Sequence, residues 1–394
     1  MKPPKSHILA TTIISALALT QAQGQGALDP PGAPAPTMKT LAQIEPRTPI
    51  GDLPVTLSAP GSYYLTGNLT GESGLNGITI EADDVTIDLG GFVLTGVGGS
   101  LNGILVSGAH VNLVIRNGTI RAWGGDGVNA TSASAGGCFN VRALSNGKAG
   151  MRTGERSTIM DCVATGNLEG GIRGGYHSLI SGCMASANEQ AGISGDDGAT
   201  IRDCLAMNNV SGAIGIVCGD VSVIAGCTSR DNGGNGFLAG AGSLIDRSTA
   251  TANNGNGVQA SLSCSVKGCS AKNNSGAGVS VDFGSTVRDC VSRQNGVSGI
   301  ELTDRCLILD NNCSENEGEG IRVTGASNRI EGNHMTSNAI GLKVQVAGNV
   351  IVRNTALGNS PGFDVTGAQM IGPIETTLTA TSSPWANFTD VLDE

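Results

Sequence analysis

One pattern limits what this chain can become: a window of about 21 residues that returns from residue 118 to residue 359. The stretches DCVATGN (161–167), GCMASAN (182–188), DCLAMNN (203–209) and DCVSRQN (289–295) are variants of one phrase. With Cys162 as a rung, equivalent positions fall at Gly118, Val141, Cys183, Cys204, Cys227, Ser248, Cys269, Cys290, Asn311, Asn333 and Asn354, in steps of 21 to 23 residues. Three residues before the rungs stand apolar residues such as Ile159, Ile180 and Ile201, and two after come small ones such as Ala164 and Ala185. Five after every rung from Val141 onward is an asparagine, eleven in all from Asn146 to Asn359. Self-similarity at a short fixed period marks a solenoid.

The repeat unit consists of short β-branched runs separated by Gly and Asn, which read as strands and turns. It has no room for a strand plus an amphipathic helix, it lacks the Leu-x-x-Leu-x-Leu frame of leucine-rich repeats, and it is about half a propeller blade. Coils of three short strands, stacked in register about 4.8 Å apart, remain. Like side chains then meet like, and asparagines at one position can pass amide hydrogen bonds along the stack while bracing the turn. Abundant Gly (61 residues) and scarce aromatics (3%) suit closely stacked turns rather than a core of large rings. The expectation is an all-β chain folded as a single right-handed parallel β-helix of about 12 coils, its hand following the bias of parallel crossovers. Caps close both ends: Val55, Leu57, Tyr63 and Leu65 on the N-terminal side, Trp385 and Phe388 on the other.

Residues 1–22 have the basic start, short apolar run and small-residue end of a secretory signal peptide. Residues 23–48 read as a Pro/Ala-rich linker, 49–371 as the β-helix domain and 372–394 as a C-terminal capping tail. The expected location is therefore secreted, periplasmic or cell-surface, with no membrane insertion, since no apolar run approaches the roughly 20 residues of a membrane helix. The 33 carboxylates against 23 Lys and Arg argue against nucleic acid, which needs a basic face. A monomer is expected.

The rung cysteines alternate with Ser, Val and Asn, which indicates a small buried position rather than a reactive one. In-register side chains keep Cβ atoms near 4.8 Å, beyond the roughly 3.8 Å of a relaxed disulfide. A single file of thiols cannot surround zinc, and no C-x-x-C pair occurs. Free, packed thiols are expected, and no metal site. Cys264 and Cys306 take a slot elsewhere filled by Ser157, Ser178, Ser222, Ser243 and Ser285.

With these residues in view, the motif I-x-x-[C/N]-x-A-x-x-N-x-x-x-G-I over about residues 50–370 resembles the right-handed parallel β-helix repeat proteins of the pectin lyase-like superfamily. Many members bind or cleave acidic polysaccharide along one strand face, so the resemblance directs attention to the residues following each Gly-Ile pair: Asn129, Arg152, Arg173, Ser194, Leu238, Gln259, Ser280, Glu301, Arg322 and Lys343. Arg152 and Arg173 fall in neighbouring coils, where like charges are costly unless screened or bound to an anion. Nearby turns add Arg156, Tyr176, His177, Asp196 and Asp197. As a polysaccharide site, Arg152, Arg156 and Tyr176 would bind, and Arg173, His177, Asp196 and Asp197 would be the catalytic candidates. The Asp-Asp pair resembles that of polygalacturonase-like hydrolases, but their Asn-Thr-Asp, Gly-His-Gly and Arg-Ile-Lys elements are missing; turn acids also solvate a turn or hold calcium, the one cofactor considered. An enzyme here would be a polysaccharide lyase or glycoside hydrolase. The alternative is a non-catalytic surface scaffold or adhesion module, with the same cluster as a solvated face. A metal-related periplasmic role lacks clustered His or Met.

Overall fold

The computed structural model describes residues 45–390 apart from Ser211, so the signal-peptide segment and most of the linker lie outside the described residues. Every pairing between strands is parallel, and one sheet holds fifteen strands, from Val55–Leu57 to Phe363–Val365. We call this the first face. The second runs from Thr48–Ile50 to Met370–Ile371, and the third from Leu69–Thr70 to Asn387–Thr389. The coil count is thus about fifteen rather than about 12, because the irregular N-terminal strands build coils of their own before the Cys/Asn markers begin.

Each coil turns three corners, and each corner carries a residue in the left-handed region. Arg156, His177, Gly198 and Val221 stand at the first; Asp161, Gly182, Asp203 and Gly226 at the second; Ser145, Gly166, Ala187 and Asn208 at the third. The next residue in each case points inward: Ser or Cys at the first corner, with Ala199 after Gly198, then the rung, then the ladder asparagine. Its backbone N–H faces along the stack, where a buried donor needs an acceptor. The side chain of the following coil supplies one. Asn253 N donates to Asn274 Oδ1 at 3.1 Å, Cys227 N to Ser248 Oγ at 3.2 Å, and Ser222 N to Ser243 Oγ at 3.0 Å.

This explains both the asparagines and the cysteines. From Asn146 to Asn359, each Nδ2 donates to the Oδ1 of the next asparagine over 2.8–3.1 Å, an unbroken ladder buried throughout. At the rung, the thiols of Cys162, Cys183 and Cys269 point at carbonyls of the preceding coil, 3.4–3.6 Å away, the role that Asn311, Asn333 and Asn354 fill with amides. All eleven cysteines are buried and unpaired. Between corners, Ile159, Ile180, Ile201, Ile224 and Ile245 form a fully buried apolar column. The Gly of each Gly-Ile pair has its own cause: a Cβ at Gly171 would lie 2.5 Å from the Gly192 carbonyl oxygen and 2.7 Å from Asn188 Nδ2.

At the N-terminal end Leu57, Tyr63 and Leu65 are buried, while Trp123 stands in the ladder slot one coil before Asn146, its backbone N–H donating to Asn146 Oδ1 at 3.2 Å. At the other end the lid differs from expectation. Trp385 is half exposed beneath Arg353, and Phe388 is only half buried. The inward residues are Ala386, Asn387 and Thr389, and Asn387 Oδ1 accepts from Asn354 N at 2.9 Å, so the returning tail closes the rung column with one more asparagine. Alternation inward and outward along a strand leaves the ring residues on the outer side.

Candidate functional site

The outward stripe of the first face runs in unbroken register from Asn129 through Arg152, Arg173 and Ser194 to Lys343 and Asp364. It includes Val217, which sequence inspection passed over. That coil is 23 residues long, with its two extra residues just before the strand Ile216–Cys218.

On this stripe lies a groove of about 440 Å³, lined among others by Arg152, Glu169, Arg173, Tyr176, Asp196 and Asp197. Strands and corners place them: Arg152 and Arg173 are register partners at the centres of Met151–Thr153 and Ile172–Gly174. Glu169 comes from the third corner before its strand, and Tyr176, Asp196 and Asp197 from first corners after theirs. Five of the seven site residues named from sequence therefore converge. Arg156 and His177 occupy successive left-handed positions of the first corner, outside the groove lining; Arg156 pairs with Glu155 at 3.3 Å.

The two adjacent arginines need no external anion. Arg152 is bound to the fully buried carboxylate of Asp126 and lies 3.9 Å from Glu169; Arg173 reaches both oxygens of Asp196 at 3.2 and 3.4 Å. Asp126 is itself fixed by the Ala149 N–H at 3.0 Å. Asp197 is committed to the turn, accepting from Asp220 N at 2.9 Å, as Asp220 accepts from Ala241 N and Asp304 from Ala326 N, each at 2.7 Å. The groove thus presents two guanidiniums against Glu169, Asp196 and Asp197, with Asp126 behind. Tyr176, 53% exposed, offers an aromatic body with a hydroxyl tip at the rim. Asp126 and Glu169 were missed in the sequence because neither falls on the outward stripe; the only trace is an acid shortly before a Gly-Val or Gly-Ile pair.

Two family models match the chain: a right handed beta helix region over residues 102–243, and periplasmic copper-binding protein (NosD) over 240–372. A comparison with curated proteins finds no significant match. Among solved structures, the A-module of mannuronan C-5 epimerase AlgE4 from Azotobacter vinelandii is similar with a TM-score of 0.51 at 14% identity, covering 72% of this chain and 90% of that one. A variant of the periplasmic alginate epimerase AlgG aligns with a TM-score of 0.41 at 13% identity, covering 81% and 78%. The catalytic domain of a GH87 alpha-1,3-glucanase gives 0.32 at 13%, covering 86% and 62%.

The residues present do not fit copper. Within 240–372 His334 is the only histidine. The thiols there are buried and turned to carbonyls, and no group of three or more His, Cys, Asp or Glu is placed to hold a metal among the described residues. The fold is a right-handed parallel β-helix.

Proposed function

We propose that the protein is an exported β-helix that binds a polysaccharide across the first face, with the Arg152–Glu169–Arg173–Tyr176–Asp196 groove as the sugar site. The observation that carries this reading is the convergence of paired charges and a rim tyrosine in one groove whose volume falls in the range of roughly 300–1,000 Å³ of ligand sites. Each ion pair exposes both donors and acceptors in fixed directions, which suits the hydroxyls of a sugar. Both guanidiniums already hold carboxylates and acids outnumber them, so the groove favours an uncharged glycan over an acidic one. The polysaccharide in the name of the AlgE4 module is in keeping with a glycan partner.

For a cleaving reaction, Asp196 is the acid best placed, since it faces the groove while Asp197 serves its turn. His177 enters such a mechanism only with movement of the first corner. Glu169, ahead of one strand, and Asp196, behind the next, flank the face as two carboxylates of a glycoside hydrolase would. Calcium would find Asp196 and Asp197 side by side. A non-catalytic scaffold acting as a monomer is favoured by the same ion pairs, which satisfy the charged groups without a ligand.

The test is retention of the mature protein in affinity gels containing neutral or acidic polysaccharides, with and without calcium, alongside assays for reducing ends and unsaturated products. Retention by a neutral glycan, weakened about tenfold or more in Arg173→Ala, supports the groove. Product formation lost in Asp196→Ala adds catalysis; no retention and no product with any glycan leaves the scaffold.

A further inference from the structure

The outward residues of the first face change character just beyond the groove. Arg152, Arg173 and Ser194 are followed in register by Val217, Leu238, Gln259 and Ser280, so the outward stripe carries no charge there. Val217 is itself part of the groove wall, and the apolar stretch therefore continues the groove along the stack. Beside it, the first corner brings out Leu262 and Phe283 at the same place in successive coils, 50% and 40% exposed. Strand alternation explains the exposure of Leu238: Phe237 and Ala239 point inward and are fully buried, which turns the residue between them outward.

Two observations set this shelf apart from scattered apolar surface. It begins in the wall of a pocket of ligand size, and apolar side chains that extend a pocket receive the apolar parts of a ligand. It also ends on an oriented donor: Gln259 Oε1 accepts from Asn235 Nδ2 at 2.6 Å, which fixes the amide and leaves Nε2 to donate. Gln259 is exposed and stands one coil step, about 4.8 Å, beyond Leu238. A carbonyl bearing a methyl group matches this pair, the methyl on Leu238 and the oxygen toward Gln259 Nε2. A bare hydroxyl does not, because over Val217 and Leu238 it would give up water and gain no partner.

We propose that the shelf makes the first-face site specific for an acetylated, uncharged glycan. The inference rests on the groove being a sugar site and names the sugars it takes. A chain laid along the stack advances by about one pyranose per coil rise of about 4.8 Å, so the sugar next to those in the groove lies over Val217 and Leu238. Its acetyl methyl packs on Leu238, and its carbonyl oxygen accepts from Gln259 Nε2. Leu238 and Gln259 are thus the residues that set specificity, while the charged groove holds the neighbouring hydroxyls. An acetamido group and an acetate ester carry the same methyl and carbonyl, and the shelf reads that shared part.

The experiment titrates the full chain calorimetrically with chitopentaose and with cellopentaose, which share a backbone and differ in an acetamido group for a hydroxyl. Acetylated glucomannan and its alkali-deacetylated form, compared in affinity gels, test the ester. An acetylated glycan should bind about tenfold or more tighter than its unsubstituted match. Leu238→Ser removes the apolar contact, and Gln259→Glu keeps the acceptor for Asn235 while removing the donor. Each should cut the preference to about twofold or less, with melting and binding of the unsubstituted glycan unchanged. A preference seen with chitopentaose alone puts the acetyl on nitrogen, and with glucomannan alone on oxygen. Equal binding of acetylated and unsubstituted glycans, or a preference that survives both variants, overturns the inference and leaves the groove a sugar site. No binding of any glycan overturns both.

Discussion

Removing one ladder amide tests how the stack is held. Asn274 is 1% exposed; its Nδ2 donates to the Ala250 carbonyl at 3.2 Å and to Asn295 Oδ1 at 3.0 Å, while its Oδ1 accepts from Asn253 N at 3.1 Å and Asn253 Nδ2 at 2.9 Å. Asn274→Ala leaves the Asn253 N–H without an acceptor and takes a donor from the Ala250 carbonyl, both in a dry interior. At roughly 1–3 kcal/mol for each stranded group, the loss should be about 2–6 kcal/mol, a large part of the roughly 5–15 kcal/mol that keeps a domain folded. Asn274→Asp should lose more, since a carboxylate there faces the Ala250 carbonyl and Asn295 Oδ1 with no proton to give. The neighbouring exposed Asn254→Ala sets the baseline, within about 0.5 kcal/mol of wild type. Urea unfolding followed by far-UV circular dichroism measures all three. If Asn274→Ala matches Asn254→Ala, the ladder does not hold the corners.

Three further outcomes follow from the ends and the thiols. Trp123→Ala should cost about 3–5 kcal/mol by calorimetry, because the ring fills space where a Cβ at Gly71 or Gly77 would come within 2.3 or 2.6 Å of it; a loss below about 1 kcal/mol would mean that the first coils seal without it. Burial pushes the Cys138 thiol up to about 12 and Cys218 to about 11, and the neighbouring thiol together with burial pushes Cys183 and Cys204 up to about 12. Their stabilisation is complete below the ordinary thiol value of 9.0 and is lost as pH rises toward 11–12, so the urea midpoint should fall in that window and fall less in Cys183→Ser; a flat profile refutes it. Asp88 behaves in the opposite sense: burial alone would raise it, but the Gly90 N–H, Asn117, Arg116 and Arg47 together hold it below 3.8. Its contribution is present above that value and lost as pH falls through the lowered one, so acid, or Asp88→Asn at neutral pH, should release the strand Thr48–Ile50 to proteolysis before the rest unfolds.

The fold was legible because each coil repeats the same three inward residues, and the Asn column in particular has one chemical purpose that no other side chain fills as well. The first coils were harder to count, since in them Leu, Val and Trp stand where later coils have Cys and Asn. Trp123 shows the difficulty: it occupies a ladder slot, but nothing in its neighbours announces that it ends the ladder. The corner residues follow chemistry at the second corner, where Asp and Gly tolerate the left-handed region, and escape it at the first, where His177 and Val221 adopt it because the coil leaves no alternative. In the candidate site, period-two alternation revealed Arg152 and Arg173. It could not reveal that Asp126 comes up from the coil before to hold Arg152, because that contact depends on side-chain reach between coils and not on register.

The tail returns to the stack through Asn387, which offers Asn354 the same amide that any coil offers its predecessor. A cap that speaks the language of the repeat is interchangeable with it. Whole coils can therefore be duplicated or lost by unequal recombination in the gene, provided the last one presents an asparagine, without remaking the terminus. The length of the first face becomes a freely varied trait, while the means of finishing the molecule stays constant.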